Sequence, residues 1–322
     1  MALPLTTSAE LPLFPAVARA PTRVSAPRRV LDAWLSRHAM PSEAAIEEVA
    51  RLKPIVVVTG ASRGIGYAIA RRFAKAGCDV ALLARGLGPL CEAAAAIEHD
   101  FAVTALTLPI DITGADTPKT IDAKLAERGF YIDVLVNSAG VGLSGRLEEH
   151  GPEVVEHLLE LNVVALTRLM HHVLPGMLGR ARGGILNVAS LGGLVPGPYQ
   201  AAYYASKAYV ISLTEAVAAE NKGRGVRFTV VAPGPVNTGF HATMGSELSF
   251  YRQLIPPLSP ERVASSAYRG HVLGFRVVVP GLMNKLMWPA LRVLPHRLLL
   301  PLIGWLLHSR TERLWNGAVD SE

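Results

Sequence analysis

A tyrosine and a lysine four residues apart, Tyr203 and Lys207, are the side chains best suited to proton chemistry in this sequence. Their surroundings predict a helix over Ala201–Asn221, and residues at i and i+4 share one helix face, so both could point into one cleft. A free phenol has a pKa of about 10, whereas a neighbouring ammonium favours the phenolate and lowers that pKa. The pair therefore predicts a general acid and base.

A glycine-rich turn, TGASRGIG, follows an apolar run and precedes an amphipathic segment. Its glycines are Gly60, Gly64 and Gly66. Backbone amides in such a turn can approach a pyrophosphate, and the positive end of the helix dipole that follows favours the anion. The turn therefore predicts a dinucleotide-binding site between a strand and a helix.

The spacing Gly-x-x-x-Gly-x-Gly, combined with Tyr-x-x-x-Lys, resembles the short-chain dehydrogenase/reductase family over roughly residues 54–280. The resemblance implies an oxidoreductase that interconverts a carbonyl and an alcohol by hydride transfer. It implies that Tyr203 is the general acid in reduction and the base in oxidation, and that Lys207 also holds the nicotinamide ribose. Ser190 is expected to bind the substrate oxygen, and Asn162 to stabilise a water chain to the lysine.

The same resemblance implies a cofactor site along the ends of several strands, and two arginines bear on which dinucleotide it takes. Arg85 stands after the second predicted strand, where a carboxylate would hold the ribose 2′-hydroxyl of NAD. A guanidinium suits a 2′-phosphate instead, and Arg63 in the turn can join it, so NADP(H) is expected over NAD. The expected cofactor-binding residues are Gly60, Ser62, Arg63, Gly64, Ile65, Gly66, Arg85, Asp111, Ile112, Asn137, Ala139, Gly140, Tyr203, Lys207, Pro233, Gly234, Val236 and Thr238.

The segment from Gly239 to Pro257 is the expected substrate loop, and its side chains are largely apolar. It favours an apolar carbonyl or secondary alcohol as substrate, although the same side chains could simply dock the loop. The apolar residues of this segment are Phe240, Met244, Leu248, Phe250, Tyr251, Leu254 and Ile255.

Two other functions stay open. A nucleotide-sugar epimerase or dehydratase shares Tyr-x-x-x-Lys but usually has a different glycine loop. A non-catalytic NADP(H) sensor would not need all four catalytic residue types.

Short β-branched runs alternate with longer helical stretches between residues 53 and 280. Apolar runs without alternation suit parallel strands covered on both faces, so the pattern predicts an α/β fold: a Rossmann-like doubly wound parallel sheet of about seven strands. The predicted strands are Ile55–Thr59, Val80–Ala84, Val103–Leu108, Val134–Asn137, Ile185–Ala189, Arg227–Val231 and Arg276–Val279. The predicted helices are Gly64–Ala76, Pro89–His99, Thr117–Arg128, Pro152–Leu178, Ala201–Asn221 and Pro260–Leu273.

The chain of 322 residues divides into three expected parts. Residues 1–50 form a partly disordered extension with a short docking helix near Val30–His38, although its arginines also weakly resemble a transit peptide. Residues 51–280 form the NADP-binding catalytic domain, and residues 281–322 an apolar and basic extension. A net charge of +6 could indicate nucleic acid, a membrane surface or an anionic cofactor. Nucleic acid is disfavoured because no zinc-finger spacing, aromatic RNA-binding motif or dense basic run occurs.

The terminal extension leaves two interpretations. Its longest uncharged stretch, Leu298–Leu307, is far shorter than the roughly 20 residues of a spanning helix. Packing over the substrate cleft or a partner subunit is favoured, and peripheral membrane contact through 281–310 is the alternative. The two cysteines, Cys78 and Cys91, have no metal-ligand spacing, so no metal is expected and a reducing, cytoplasmic location fits. Family members often assemble through the helices carrying Asn162 and Tyr203, so a homo-oligomer is expected.

Overall fold

The computed structural model describes residues 41–240, 244–245 and 256–307, so the predicted docking helix at Val30–His38 lies outside the described residues. Strands and helices alternate as the pattern predicts. The strands are β1 (Lys53–Thr59), β2 (Val80–Ala84), β3 (Ala105–Pro109), β4 (Phe130–Asn137), β5 (Gly183–Val188), β6 (Val226–Val231) and β7 (Val277–Val278). The helices are α1 (Glu43–Val49), α2 (Gly64–Ala74), α3 (Leu87–Asp100), α4 (Thr117–Ala126), α5 (Pro152–Leu159), α6 (Leu166–Gly179), α7 (Ala201–Glu220), α8 (Pro260–Val272), α9 (Leu282–Val293) and α10 (His296–Leu307).

The strands form one seven-stranded sheet in the order β3-β2-β1-β4-β5-β6-β7, and every pairing is parallel. The predicted Rossmann-like fold is therefore confirmed. Successive crossovers run outwards from β1 to β3 on one side and from β4 to β7 on the other. The direction reverses between β1 and β4, and a sheet of this kind opens a crevice at the carboxyl ends of its strands at that point.

The apolar core lies in two layers, one on each face of the sheet. Along β1, Val56 and Val58 pack into the layer that contains Phe73 of α2, whereas Ile55 and Val57 pack into the opposite layer. Side chains alternate between the two faces of a strand, so a strand buried on both faces must be apolar at every position. This geometry explains the uninterrupted apolar runs of the sequence.

The sheet also carries a buried ion pair near the amino-terminal half of β4. Asp133 is fully buried, and Arg182 contacts it through Nε–Oδ1 at 2.8 Å and Nη2–Oδ2 at 2.9 Å. A two-point contact of this kind satisfies both carboxylate oxygens, which a buried carboxylate requires. The pair joins β4 to the residue that precedes β5, on the side of the sheet opposite the crevice.

The structure corrects some predicted boundaries. The third strand begins at Ala105 rather than Val103, and the predicted helix Pro152–Leu178 is interrupted by a π-helical turn at Glu160–Ala165. Of the two cysteines, Cys78 is buried and Cys91 is exposed on α3. Among the described helices, none is long and apolar enough to cross a bilayer.

Candidate active site

One cleft of about 910 Å³ lies at the carboxyl ends of the strands. It brings together segments that are far apart in the sequence: the turn after β1, the ends of β2 to β6, the first turns of α7, and the terminal helices. Nearly all of the predicted site residues line it. These are Gly60, Ser62, Arg63, Gly64, Ile65, Gly66, Arg85, Asp111, Ile112, Ala139, Gly140, Ser190, Tyr203, Lys207, Pro233, Gly234, Val236 and Thr238.

The glycine-rich turn requires glycine for reasons visible in its packing. Gly60 has a φ of +66°, and a Cβ there would lie 2.8 Å from the Cα of Ala139. A Cβ on Gly66 would overlap the carbonyl oxygen of Gly60. The turn is thus pressed against the end of β4, and α2 begins at Gly64 without a side-chain cap. The first amides of a helix have no partners within the helix, so they face the cleft as potential donors to an anion.

Thr59 at the end of β1 fixes the neighbouring wall of the cleft. Its hydroxyl oxygen accepts hydrogen bonds from the amides of Ser138 and Ala139, each at 3.0 Å. The hydroxyl itself donates to the carbonyl of Val136 at 3.4 Å. The segment after β4 is therefore held against the turn after β1, and Gly140 follows directly. This contact aligns two of the segments that the sequence assigns to cofactor binding.

The two arginines that suggested a 2′-phosphate lie on the rim of the cleft. The side chains of Arg63 and Arg85 are exposed, and neither guanidinium makes a hydrogen bond or ion pair with a residue the structure describes. Nearby, hydrogen bonding from the Thr113 amide is the largest of the effects that lower the pKa of the Asp111 carboxyl, and the charge of Arg85 acts in the same direction. The rim thus carries two exposed cations and one stabilised carboxylate.

Tyr203 and Lys207 lie one turn apart on α7 and line the same cleft. Tyr203 is 8% exposed, and its ring centroid is 5.6 Å from that of Phe240. The Lys207 ammonium lies 5.8 Å from the centre of the Tyr203 ring and donates to the carbonyl of Val188 at 3.1 Å. Burial lowers the pKa of Lys207 from 10.5 to about 8. This lysine can therefore exchange its proton close to neutral pH, unlike a lysine in water.

Glycines around α7 allow the helix to approach its neighbours closely. A Cβ on Gly140 would lie 2.9 Å from Asn162 Oδ1 and 3.4 Å from Lys207 Nζ. The ring of Tyr204 fills the space beside Gly192, where a Cβ would lie 2.8 Å from it. Tyr204 therefore packs between the short 3₁₀ turn at Leu191–Leu194 and the terminal helices. That position fits a packing residue.

Ser190 lies between β5 and this 3₁₀ turn, opposite the start of α7. Its hydroxyl oxygen accepts a hydrogen bond from the amide of Gly192 at 3.1 Å. This contact fixes the side chain through its acceptor lone pair, which leaves the hydroxyl proton available for an oxygen in the cleft. The geometry suits a donor to a substrate carbonyl oxygen.

Two of the predicted residues do not line the cleft. Asn137 donates to Asn187 Oδ1 at 2.9 Å inside the sheet, because the side chain at the end of β4 points into a buried polar network. Asn162 lies in the π-helical turn, where its amide pairs with both the N–H and the carbonyl of Val141 at 2.9 and 2.8 Å. It also donates to Ser206 Oγ at 3.1 Å. Asn162 thus ties the segment after β4 to the catalytic helix.

The cleft also contains residues that the sequence pattern did not single out. Gln200, three residues before Tyr203, is 3% exposed, and its Nε2 has no hydrogen-bond partner among the described residues. The i, i+3 spacing to Tyr203 is the signal that could have identified it. The terminal helices form one wall of the cleft, through Met287 and Leu291 of α9 and through Ile303, Leu306 and Leu307 of α10.

Part of the expected substrate loop is also placed. Phe240 and Met244 line the cleft next to Tyr203, and Met244 is 4% exposed. The other apolar residues of the loop, at 248, 250, 251, 254 and 255, lie outside the described residues. Of the two interpretations of the terminal extension, packing over the cleft holds for the inner faces of α9 and α10.

Comparison with known proteins agrees with this geometry. A family profile described as short chain dehydrogenase matches residues 54–249. An uncharacterised oxidoreductase of Staphylococcus saprophyticus is 36% identical over 184 residues, which cover 57% of this chain and 79% of that protein. A very-long-chain 3-oxoacyl-CoA reductase of Bos taurus is 35% identical over 188 residues, but the match spans only 59% of its length and 56% of this chain.

A solved structure of a short-chain dehydrogenase is also similar to this chain. A short-chain dehydrogenase of Sphingobium yanoikuyae, in complex with NADPH, is 30% identical in sequence and has a TM-score of 0.67. The superposition covers 74% of this chain and 92% of that one.

Proposed function

This chain is an oxidoreductase that belongs to the short-chain dehydrogenase family, and from that premise we propose that it uses NADP(H) to interconvert an apolar ketone and its secondary alcohol. One observation carries the proposal. A single cleft contains the glycine-rich turn, two exposed arginines, and a tyrosine and lysine on one helix face. The glycine-rich turn and the two arginines suit the phosphates of a dinucleotide. The tyrosine and lysine suit proton transfer to a carbonyl oxygen.

The residues present fit a dinucleotide. The uncapped start of α2 offers amides to a pyrophosphate, and the glycines of the turn keep side chains out of that space. Asp111 and Ile112 would lie along the adenosine half, and Pro233, Gly234 and Thr238 along the nicotinamide half. When bound, NADP(H) supplies or accepts the hydride.

The preference for NADP(H) follows from the rim of the cleft. Arg63 and Arg85 present exposed guanidinium groups, which suit a 2′-phosphate because they can donate two hydrogen bonds to it. No carboxylate stands at the position after β2, where it would hold the free hydroxyl of NAD. The related Sphingobium yanoikuyae structure contains NADPH, which supports the same choice.

The proton chemistry is assigned to α7 and its neighbours. In reduction, the Tyr203 hydroxyl donates its proton to the substrate oxygen, and Ser190 donates a hydrogen bond that shares the developing charge. Lys207, held by the Val188 carbonyl, favours the phenolate that Tyr203 becomes. Asn162 positions this helix through Ser206 and the backbone of Val141. Gln200 offers a buried amide donor to a second polar group of the substrate.

The substrate class is inferred from the cleft walls. Phe240, Met244, Met287, Leu291 and Ile303 surround the catalytic tyrosine with apolar surface, which favours a hydrophobic chain or ring beside the carbonyl. The bovine relative is a very-long-chain 3-oxoacyl-CoA reductase, so 3-oxoacyl thioesters are the first compounds to test beside simple ketones.

The experiment that tests this function measures NADPH oxidation with ketones and 3-oxoacyl thioesters of increasing chain length. We expect kcat/KM to rise up to about fourfold for each added methylene that the cleft buries. A kcat/KM that does not change with chain length would reject the apolar substrate. Absence of turnover across the panel would favour a binding protein that senses NADP(H).

The cofactor preference is tested by Arg85→Ala, with Arg128→Ala on the opposite side of the fold as the matched control. We expect Arg85→Ala to weaken NADPH binding roughly tenfold or more while leaving NADH binding unchanged, because only NADPH carries the 2′-phosphate. Arg128→Ala should change neither affinity. Equal weakening of NADPH and NADH in Arg85→Ala would reject the assignment of this guanidinium to the phosphate.

A further inference from the structure

The two terminal helices have an apolar face on each side. Their inner faces, including Leu291 and Ile303, line the cleft. On the other side of α9, Leu282, Leu286 and Val293 recur at helical spacing and are 76%, 67% and 79% exposed. A helix that only roofed a cleft would need one apolar face, so the second face requires a separate explanation.

The second helix repeats this arrangement. On α10, Leu298, Leu302 and Trp305 recur at i, i+4 and i+7 and are 67%, 53% and 50% exposed. We call these six side chains the outer face. Large exposed apolar side chains clustered on consecutive helices are unusual in monomeric proteins and mark an interaction surface.

The charges of the segment indicate what the outer face meets. Residues 281–307 contain no aspartate or glutamate, whereas they contain Lys285, Arg292 and Arg297. Arg292 pairs with Glu215 of α7 at 3.3 Å. Lys285 and Arg297 are exposed and form no ion pair with a residue that the structure describes. Apolar side chains flanked by lysine and arginine on a short helix are typical of segments that lie in a lipid surface.

We propose that α9 and α10 lie in the surface of a bilayer with anionic headgroups, with the outer face inserted among the acyl chains. Each helix has 12 residues, so each is about 18 Å long and cannot span a bilayer. A second copy of the chain fits this face less well. A twofold contact would bring the basic side chains of the two copies together, and residues 281–307 contain no acid to neutralise them.

The placement has a consequence for substrate entry, which rests on the proposed function. The same two helices carry the outer face and a wall of the cleft. A lipophilic ketone dissolved in the bilayer could therefore reach the catalytic tyrosine along apolar side chains without crossing water. The membrane contact itself does not depend on this step.

The test is co-sedimentation of the full chain with vesicles of phosphatidylcholine alone, and of phosphatidylcholine mixed with an equal part of phosphatidylglycerol. We expect binding to the mixed vesicles to be at least tenfold tighter, and to weaken as salt is added, because each basic residue near an anionic surface contributes about fivefold. The double variant Lys285→Gln, Arg297→Gln should lose most of that preference.

Insertion of the outer face is tested by Leu286→Glu and Leu302→Glu, neither of which lines the cleft. Each should weaken vesicle binding roughly tenfold, the loss expected for one inserted leucine side chain. The matched control is Leu273→Glu. Leu273 is 65% exposed and lies between α8 and β7, away from the cleft. This variant should bind vesicles as the wild type does. Circular dichroism and thermal unfolding establish that all three variants fold.

Several outcomes would overturn the proposal. These are absence of binding to either vesicle, equal losses in Leu273→Glu and Leu286→Glu, or a soluble dimer that Leu286→Glu dissociates while vesicle binding is unchanged. Binding is measured without turnover, so failure of the membrane proposal is distinguishable from failure of the proposed function. If the chain binds vesicles but oxidises no NADPH, the proposed function is rejected and the membrane proposal stands.

Discussion

Replacing Lys207 with methionine should make the protein more stable and less active, and the effect on stability can be derived from burial of the ammonium. Burial lowers the pKa of this lysine from 10.5 to about 8, which corresponds to about 3 kcal/mol of unfolding free energy lost while the group is charged. Methionine removes that cost at similar volume. It also removes the hydrogen bond to Val188, which is worth about 1.5 kcal/mol, so the net gain at pH 7 is about 1.5 kcal/mol.

The sign of the pH dependence follows from the direction of this pKa. Between about pH 8 and 10.5 the unfolded chain binds a proton at residue 207 that the folded chain has released, so wild-type stability rises with pH in that window. The variant Lys207→Met has no such group. Its advantage should be constant below about pH 8, shrink to zero within the window, and give way above about pH 10.5 to a deficit of about 1.5 kcal/mol, because only the lost hydrogen bond to Val188 then separates the two proteins.

The assay is denaturant unfolding without added dinucleotide, at several pH values from 6 to 11. Lys124→Met, at an exposed lysine of α4, is the matched control and should show no pH-dependent difference from the wild type. A Lys207→Met variant that is less stable than the wild type at pH 7, or whose difference from the wild type stays constant up to pH 11, would refute the reasoning.

Three further predictions concern the turn, the buried ion pair and the cleft wall. Gly66→Ala should abolish tight NADP(H) binding in dinucleotide titrations, because the new Cβ would overlap the Gly60 carbonyl. Gly88→Ala is the control and should bind normally, because a Cβ there has nothing within 4 Å. Similar NADP(H) affinities of the two variants would argue against a tightly packed turn. Asp133→Asn should lower the free energy of unfolding by about 3 kcal/mol in urea, with NADP(H) affinity unchanged, because Arg182 loses its anionic partner; a loss below about 1 kcal/mol would contradict that cost. Gln200→Leu should lower kcat/KM roughly tenfold at constant NADPH affinity, and an unchanged kcat/KM would show that its amide does not bind substrate.

The sequence was sufficient for the features that depend on local spacing. The i, i+4 relation of Tyr203 and Lys207 places both on one face of α7, and continuous apolar runs identify strands buried on both sides. The glycine positions of the turn after β1 were also predictable, because positive φ and close packing restrict residue choice there. These constraints act within a few residues and therefore leave a readable pattern.

Features that depend on tertiary packing were not predictable in the same way. The π-helical turn arises where Asn162 pairs with the backbone of Val141, and nothing in the local sequence indicates that partner. Asn137 follows the family pattern, but the buried side chain of Asn187 decides where its amide points. The terminal extension was predicted to be apolar and basic, whereas its two helices and their inner and outer faces became visible only with the cleft in place.

The proton-donor assignment is the central claim, and its most direct test is a single-turnover reduction with saturating NADPH for Tyr203→Phe and Tyr204→Phe. Loss of the Tyr203 hydroxyl should slow hydride transfer by at least about a hundredfold while the dissociation constant of NADPH stays within about threefold of the wild-type value. Tyr204→Phe keeps the ring that packs beside Gly192 and should react at nearly the wild-type rate. A Tyr203→Phe enzyme within tenfold of the wild-type rate, or a Tyr204→Phe enzyme that is the slower of the two, would contradict the assignment.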